Sequence, residues 1–172
     1  MKIKSIIGID ECSGCSDYCC RFEESGWDAA PVFLAEERET IEEEIRGKDY
    51  LKPFGDTIAW QVVLKKGSGE NEYFCPFFDQ GKRMCSIQAK KPFDCLFFPL
   101  AFMRGQNQRG IYVSCFKEHI CPGLAKAGKE KIDDYKKYIK EVFSSPEGRG
   151  FALNYPQILD YDDDAELIFK IE

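Results

Sequence analysis

The sequence holds a single histidine, His119, and no apolar run near the ~20 residues of a membrane-spanning helix. Its first nine residues, Met1 to Ile9, are too short and too interrupted for a signal-peptide core. A soluble, cytoplasmic protein with no membrane partner is therefore expected. No basic stripe is present either: lysines and arginines are scattered among acids and the net charge is -6, so no nucleic acid is expected as a partner. Gly67-Ser68-Gly69 is not followed by Gly-Lys-Ser/Thr and reads as a turn, not a phosphate loop. The acidic run Asp160 to Asp164 lacks the glycine and distal glutamate of a calcium loop and reads as a solvated turn. No nucleophile motif accompanies His119, which removes a recognisable triad. There is no internal repeat and no low-complexity segment.

What the chain does have is aromatic residues and cysteine. Hydrophobic residues make up 44% of its 172 positions, with 14 Phe, 8 Tyr and 2 Trp. A single domain over 1–172 can close a core with that content, burying roughly 70% of its unfolded surface without covalent staples. Nine cysteines are thus not needed for folding, and an odd number leaves one outside any full set of disulfides. In a reducing compartment, clustered thiols point to metal or redox chemistry.

The cysteines are Cys12, Cys15, Cys19, Cys20, Cys75, Cys85, Cys95, Cys115 and Cys121. The first four form C-x2-C-x3-C-C. Two intervening residues let a chain turn so that both sulfurs meet one metal, and Ser13-Gly14 is small enough for that turn. In an extended segment the side chains of Cys19 and Cys20 would point to opposite sides, serving different metals, a bridge or a spare thiol. Cys75, Cys85 and Cys95 are ten residues apart, separated by Pro76, Gly81 and Pro92. They are either further ligands or buried residues packed beside Phe74, Phe77, Phe93, Phe97 and Phe98. His119, in Cys115-x3-His119-x-Cys121, is a possible imidazole ligand or an exposed side chain.

The expected fold is α+β, a small domain of short strands or hairpins with a long helix in its C-terminal half and cysteines on loops. Ile3 to Ile9 reads as a short strand, Asp10 to Arg21 as a loop or knuckle, and Pro31 to Leu34 as extended. Glu36 to Arg46 reads as a helix stopped by Gly47, its glutamates forming the exposed face. Ile58 to Leu64 is strand-like, with a turn at Lys65 to Gly69 leading to Tyr73-Phe74. Phe97 to Met103 and Ile111 to Phe116 read as a hairpin. Ile132, Tyr135, Ile139, Val142 and Phe143 share one face of a helix over Lys129 to Phe143, with Pro146 and Gly148 as breakers. Leu167 to Ile171 reads as a last strand.

These pieces resemble the CxxCxxCC cysteine-cluster family (YkgJ-like), described as zinc- or iron-chelating proteins. The resemblance covers roughly residues 10 to 125. It rests on Cys12-x2-Cys15-x3-Cys19-Cys20, then Phe74-Cys75-Pro76-Phe77, which is similar to the family's C-P-F-L. Cys85-Ser86-Ile87 and Lys91-Pro92-Phe93-Asp94-Cys95-Leu96-Phe97-Phe98-Pro99 are similar to its C-x-I-Y and R-P-x-x-C-R-x-F-P, and Cys121-Pro122-Gly123 to its closing C-P-G. The chain departs from that pattern in having three residues before the paired cysteines. Lys91 and Leu96 also replace arginines, and Gln88 lies near the usual tyrosine; the lost guanidinium groups would suit anions. The resemblance implies metal chelation, and a related motif in flagellin lysine N-methylases implies methyl transfer as one process to test.

The partner expected is thus a metal ion or cluster, held by thiolates that suit tetrahedral zinc and iron–sulfur centres such as 4Fe-4S. Zinc needs no such surplus of thiols, which tilts the reading to iron–sulfur. The function expected is cysteine-cluster metal binding, serving redox or methyl-transfer chemistry. The alternatives are a zinc-stabilised structural or interaction module and a thiol redox sensor using Cys19 and Cys20.

Overall fold

A computed structural model of the protein describes residues 1–8, 11–12, 15, 19–23 and 30–172. Within these the chain forms two compact units, one of residues 13–95 and one of residues 1–12 with 96–172. The fold is α+β, mixing helices and strands, with a 16-residue helix in the C-terminal half.

Unit 13–95 is built of short strands. Strand β1 (Arg21–Phe22) begins where the cysteine knuckle ends. Strand β2 (Val32–Phe33) confirms the extended reading of Pro31 to Leu34. The acidic stretch then forms two helices, α1 (Ala35–Thr40) and α2 (Glu42–Ile45), because Ile41 leaves helical geometry with φ -114°. Ile41 and Ile45, four residues apart, are both buried and face the core. Gly47, at φ +70°, supplies the left-handed turn that stops α2, as its position in the sequence predicts.

The strands β3 (Leu51–Pro53) and β4 (Trp60–Val62) follow, and β4 sits between β2 and β3 in an antiparallel sheet. Lys65 and Lys66, read from the sequence as part of a turn, form strand β5 (Lys65–Lys66). They pair with β6 (Tyr73–Phe74), because the reversal comes only at the Gly67 to Asn71 segment. The far edge of β6 pairs with β1, registering Arg21 with Phe74 and Phe22 with Tyr73. A hairpin of β7 (Phe78–Asp79) and β8 (Met84–Cys85) and the helix α3 (Phe93–Phe97) complete this stretch of chain. The core of the unit gathers Phe33, Ile41, Val62, Phe77 and Ile87 around Cys75 and Cys85. Phe77 meets Phe33 at 5.8 Å and Tyr50 edge-on at 5.5 Å.

In the other unit, β9 (Leu100–Arg104) and β10 (Ile111–Phe116) make the expected hairpin, and β11 (Ala165–Lys170) adds to the free edge of β10. Helix α4 (Pro122–Ala127) starts with a proline where the missing N–H costs nothing. Helix α5 (Lys129–Ser144) buries Tyr135, Ile139 and Phe143 along one stripe, the face its periodicity predicts. Phe143 packs edge-on against Phe97 and Phe102 at 5.5 and 5.2 Å.

Two expectations fail here. Helix α5 does stop just before Pro146, where Ser145 is extended at ψ 150°, but Gly148 is no breaker and lies within a further helix. Ser145 caps a new helix α6 (Pro146–Leu153), accepting the Gly148 N–H at 3.0 Å, and Pro146 takes the first-turn position it favours. The segment Ile3 to Gly8 is not a strand, and Ile9 lies outside the described residues. Ile3 and Ile6 are buried while the Lys4 carbonyl accepts the Tyr135 hydroxyl at 2.7 Å, so this stretch is held by helix α5 and not by a sheet.

Candidate metal centre

The nine cysteines divide between the units. Cys15, Cys19, Cys20, Cys75, Cys85 and Cys95 belong to unit 13–95, and Cys12, Cys115 and Cys121 to the other. No disulfide joins any of them among the described residues. The knuckle positions 10, 13, 14 and 16–18 lie outside the described residues.

Cys19 and Cys20 occupy a turn, not an extended segment, and this corrects the expectation of opposed side chains. Their sulfurs lie 3.9 Å apart in an S–H···S contact. The Cys20 carbonyl accepts the Cys75 N–H at 2.9 Å, continuing the β1–β6 ladder by one step, and so fixes the knuckle beside the second cysteine group. Cys75 in turn accepts the Phe78 N–H at its carbonyl, and Phe78 is registered opposite Cys85. Cys95 enters on α3. Arg83, at φ +52° in the β7–β8 turn, donates a guanidinium N–H to the Cys15 carbonyl at 3.0 Å and so ties this hairpin to Cys15.

These thiols act on one another's ionisation. The contact from Cys19 lowers the pKa of Cys20, but burial together with the charges of Cys75, Cys95 and Cys85 outweighs it and pushes it up. Burial raises Cys75 to about 12, with Cys85 and Cys19 adding to the rise. Cys95 is pushed well up, first by burial and then by Cys75, Asp94, Cys85 and Cys19. Part of the Cys95 residue surface is exposed, but its thiol is crowded by protein. Cys20 is thus influenced by four other thiols, from its own segment and three others, and desolvation keeps Cys20, Cys75 and Cys95 as neutral thiols at neutral pH.

Two carboxylates missed by sequence reasoning hold the Cys95 helix in place. Glu37, expected on an exposed face, turns inward: its carboxylate accepts the Leu34 N–H at 2.9 Å and the Phe93 N–H at 2.7 Å. Asp94 accepts the Val32 N–H at 3.0 Å. The signal for Glu37 was its place three residues after Leu34, where a glutamate reaches back to the start of its own helix. The reach to Phe93, 56 residues away, had none.

In the other unit, burial lifts Cys115 to about 11, with Cys121 adding slightly to the rise. Cys12 is half-buried and donates its N–H to the Gly8 carbonyl at 3.0 Å. His119 is more than half exposed and pairs with Asp164 at 3.1 Å, beside the acidic turn, which Asp162 stabilises by accepting the Asp164 N–H.

Among the described residues, no group of three or more Cys, His, Asp or Glu side chains is arranged to hold a metal ion as it stands. The donor set nevertheless fits a soft metal in chemistry, being all thiol. It fits in one dimension as well: a Zn–S bond of ~2.3 Å in a tetrahedron sets adjacent sulfurs ~3.8 Å apart, close to the Cys19–Cys20 separation. No helix among the described residues is long and apolar enough to cross a membrane. Comparison with family models, with curated proteins and with solved structures finds no match for this chain.

Proposed function

We propose that unit 13–95 is a thiolate metal-binding module, its ligands drawn from Cys19, Cys20, Cys75, Cys85 and Cys95, with Cys15 adjoining through the knuckle. The observation that carries this reading is the gathering of five thiols, from segments up to 76 residues apart, with the Cys20–Cys75 backbone bond joining the two halves. A hydrophobic core has no need to collect cysteines around each other's charges. A soft cation repays their desolvation when each thiol gives up its proton to it. Bound metal would pin the N-terminal knuckle to the β6–α3 segment and stabilise the fold.

The donor set serves an iron–sulfur cluster or zinc, and one preparation separates them. Anaerobically purified full-length protein that is brown, with iron and sulfide, carries a cluster; colourless protein with stoichiometric zinc carries a zinc site. Binding at a thousandfold excess over Kd is worth about 4 kcal/mol, or roughly 10 °C in Tm for a chain of this length. Chelation should remove that increment from the wild type and not from Cys75→Ser or Cys95→Ser. Protein that binds neither metal on reconstitution, with a Tm indifferent to chelator, refutes the reading.

The 3.9 Å contact between Cys19 and Cys20 favours a second reading, a dithiol sensor. In it the two thiols release two protons and pass two electrons to a disulfide oxidant such as oxidised glutathione, forming an intramolecular disulfide. A loss of two mass units in metal-free protein, absent in Cys19→Ser, would establish it; mixed glutathione adducts alone would refute it.

A further inference from the structure

The adjacent pair Cys19-Cys20 has a chemistry of its own, apart from the later cysteines. A turn holds the two sulfurs 3.9 Å apart, a separation that side-chain rotation can close onto one shared atom. Cys20 is anchored from both ends: its carbonyl accepts the Cys75 N–H at 2.9 Å, and its side chain packs against the core cluster around Phe33 and Phe77. Both residues are half-buried, which leaves the pair open to solvent on one side. Closing a ring across two sulfurs that already touch costs little further ordering.

Two sulfurs select a ligand by number. Tetrahedral zinc takes four donors, and among the described residues no group of three or more is arranged for a metal ion as it stands. A trivalent arsenic atom that already carries one carbon substituent takes two: its third bond goes to that carbon, and a lone pair completes the pyramid. It is soft, as sulfur donors require. Charge is the second criterion. Each As–S bond replaces an As–O bond with loss of water, so the product is neutral and sits against apolar residues without an ionic burial cost. Zinc on four thiolates carries net negative charge and has that cost to offset.

We propose that Cys19 and Cys20 form a two-sulfur site for trivalent, monosubstituted arsenicals. With phenylarsine oxide as the probe, both S–H bonds break and two As–S bonds form. The oxide oxygen leaves as one water with both protons, and no atom is oxidised or reduced. The site needs only these two sulfurs and does not rest on the metal reading. Full-length, reduced, metal-free protein should gain one arsenical less one water by mass spectrometry and lose two thiols reactive toward a disulfide reagent. The second As–S bond is intramolecular, so Cys19→Ser and Cys20→Ser should each bind about a thousandfold more weakly. Cys95→Ser, which removes a proposed metal ligand, should bind as the wild type does. In the wild type, millimolar glutathione should leave the adduct intact and millimolar dimercaptopropanol should strip it, because only a dithiol competes with a ring. An adduct that keeps full affinity in Cys19→Ser or Cys20→Ser, that is lost in Cys95→Ser, or that glutathione strips overturns the proposal. The glutathione competition uses wild-type protein alone and stands even where a serine variant fails to fold. Since Cys95→Ser separates metal uptake from arsenical binding, failure of either reading is seen apart from the other.

Discussion

Glu37 closes two helices at once, and removing it should cost more than any other single glutamate in the chain. One carboxylate oxygen takes the N–H of Leu34 at the start of α1, and the other takes the N–H of Phe93 at the start of α3. Hydrogen bonds to charged groups contribute about 1.5–3 kcal/mol each, and the partial exposure of this carboxylate puts both at the low end. Glu37→Ala should therefore destabilise the metal-free protein by about 3 kcal/mol, which at ~2.1 cal/mol/K per residue lowers Tm by roughly 8 °C. Since α3 carries Cys95, the same variant should also weaken metal uptake. Glu37→Gln keeps one acceptor and should fall about midway.

The pH dependence gives a separate handle. Burial raises the Glu37 pKa, and the N–H bonds from Leu34 and Phe93 oppose that only in part. The folded protein therefore holds this proton more tightly than the unfolded chain. Stability from this group is fully present below the unfolded pKa of 4.5 and is lost as pH rises through the higher folded value. Glu11 and Glu44 are shifted the opposite way by hydrogen bonds from Lys131 and Lys90, so the overall slope mixes both signs. The difference between wild type and Glu37→Gln isolates the Glu37 share: the variant's relative stability should improve as pH rises from 4 to 7. Thermal melts in chelator across that range measure it. A Glu37→Ala melt within 1 °C of wild type, or parallel pH curves for wild type and Glu37→Gln, would refute the reasoning.

Phe143→Ala should cost about 3–5 kcal/mol in denaturant melts, because the ring is 2% exposed and packs against both Phe97 and Phe102. Ser114→Ala should gain about 1 kcal/mol: its hydroxyl is fully buried in the middle of β10 without a partner, and a methyl group needs none. Gly148→Ala should lose about 2 kcal/mol or more, since the new methyl would collide with the Val142 carbonyl, a backbone atom that cannot swing aside. His119→Ala should leave Tm within about 1 °C, because an exposed pair with Asp164 contributes little.

Elements with a strong local signal could be read from the sequence. The stripe Tyr135, Ile139 and Phe143 fixed the face of α5, and the polar stretch from Arg104 to Gly110 marked the β9–β10 turn. Local chemistry misled where one residue type serves two purposes. Pro146 marks the end of α5 and also starts α6, and Ser145 caps the new helix by accepting the Gly148 N–H. Lys65 and Lys66 look like turn residues, yet a partner strand at Tyr73-Phe74 makes them β. Ile3 and Ile6 suggested a strand because apolar content was visible and the Tyr135 hydroxyl, 131 residues away from Lys4, was not.

The candidate site divides along the same line. Composition and spacing singled out the cysteines, but the ten-residue intervals among Cys75, Cys85 and Cys95 carry no local ligand signature. What makes them a group is pairing: β1 against β6 brings Cys20 to Cys75, and β7 against β8 returns the chain from Phe78 to Cys85. Both depend on partners distant in sequence. The turn at Cys19-Cys20 shows the limit from the other side, since alternation along an extended chain separates adjacent side chains and a turn brings their sulfurs to 3.9 Å. Membership of the core and membership of the thiol group are therefore not rival roles for Cys75 and Cys85. Packing against Phe33, Phe77 and Ile87 strips these sulfurs of water, and Cys75, so desolvated, still answers to Cys85 and Cys19; under the proposed function, a soft cation would be the partner that repays that desolvation.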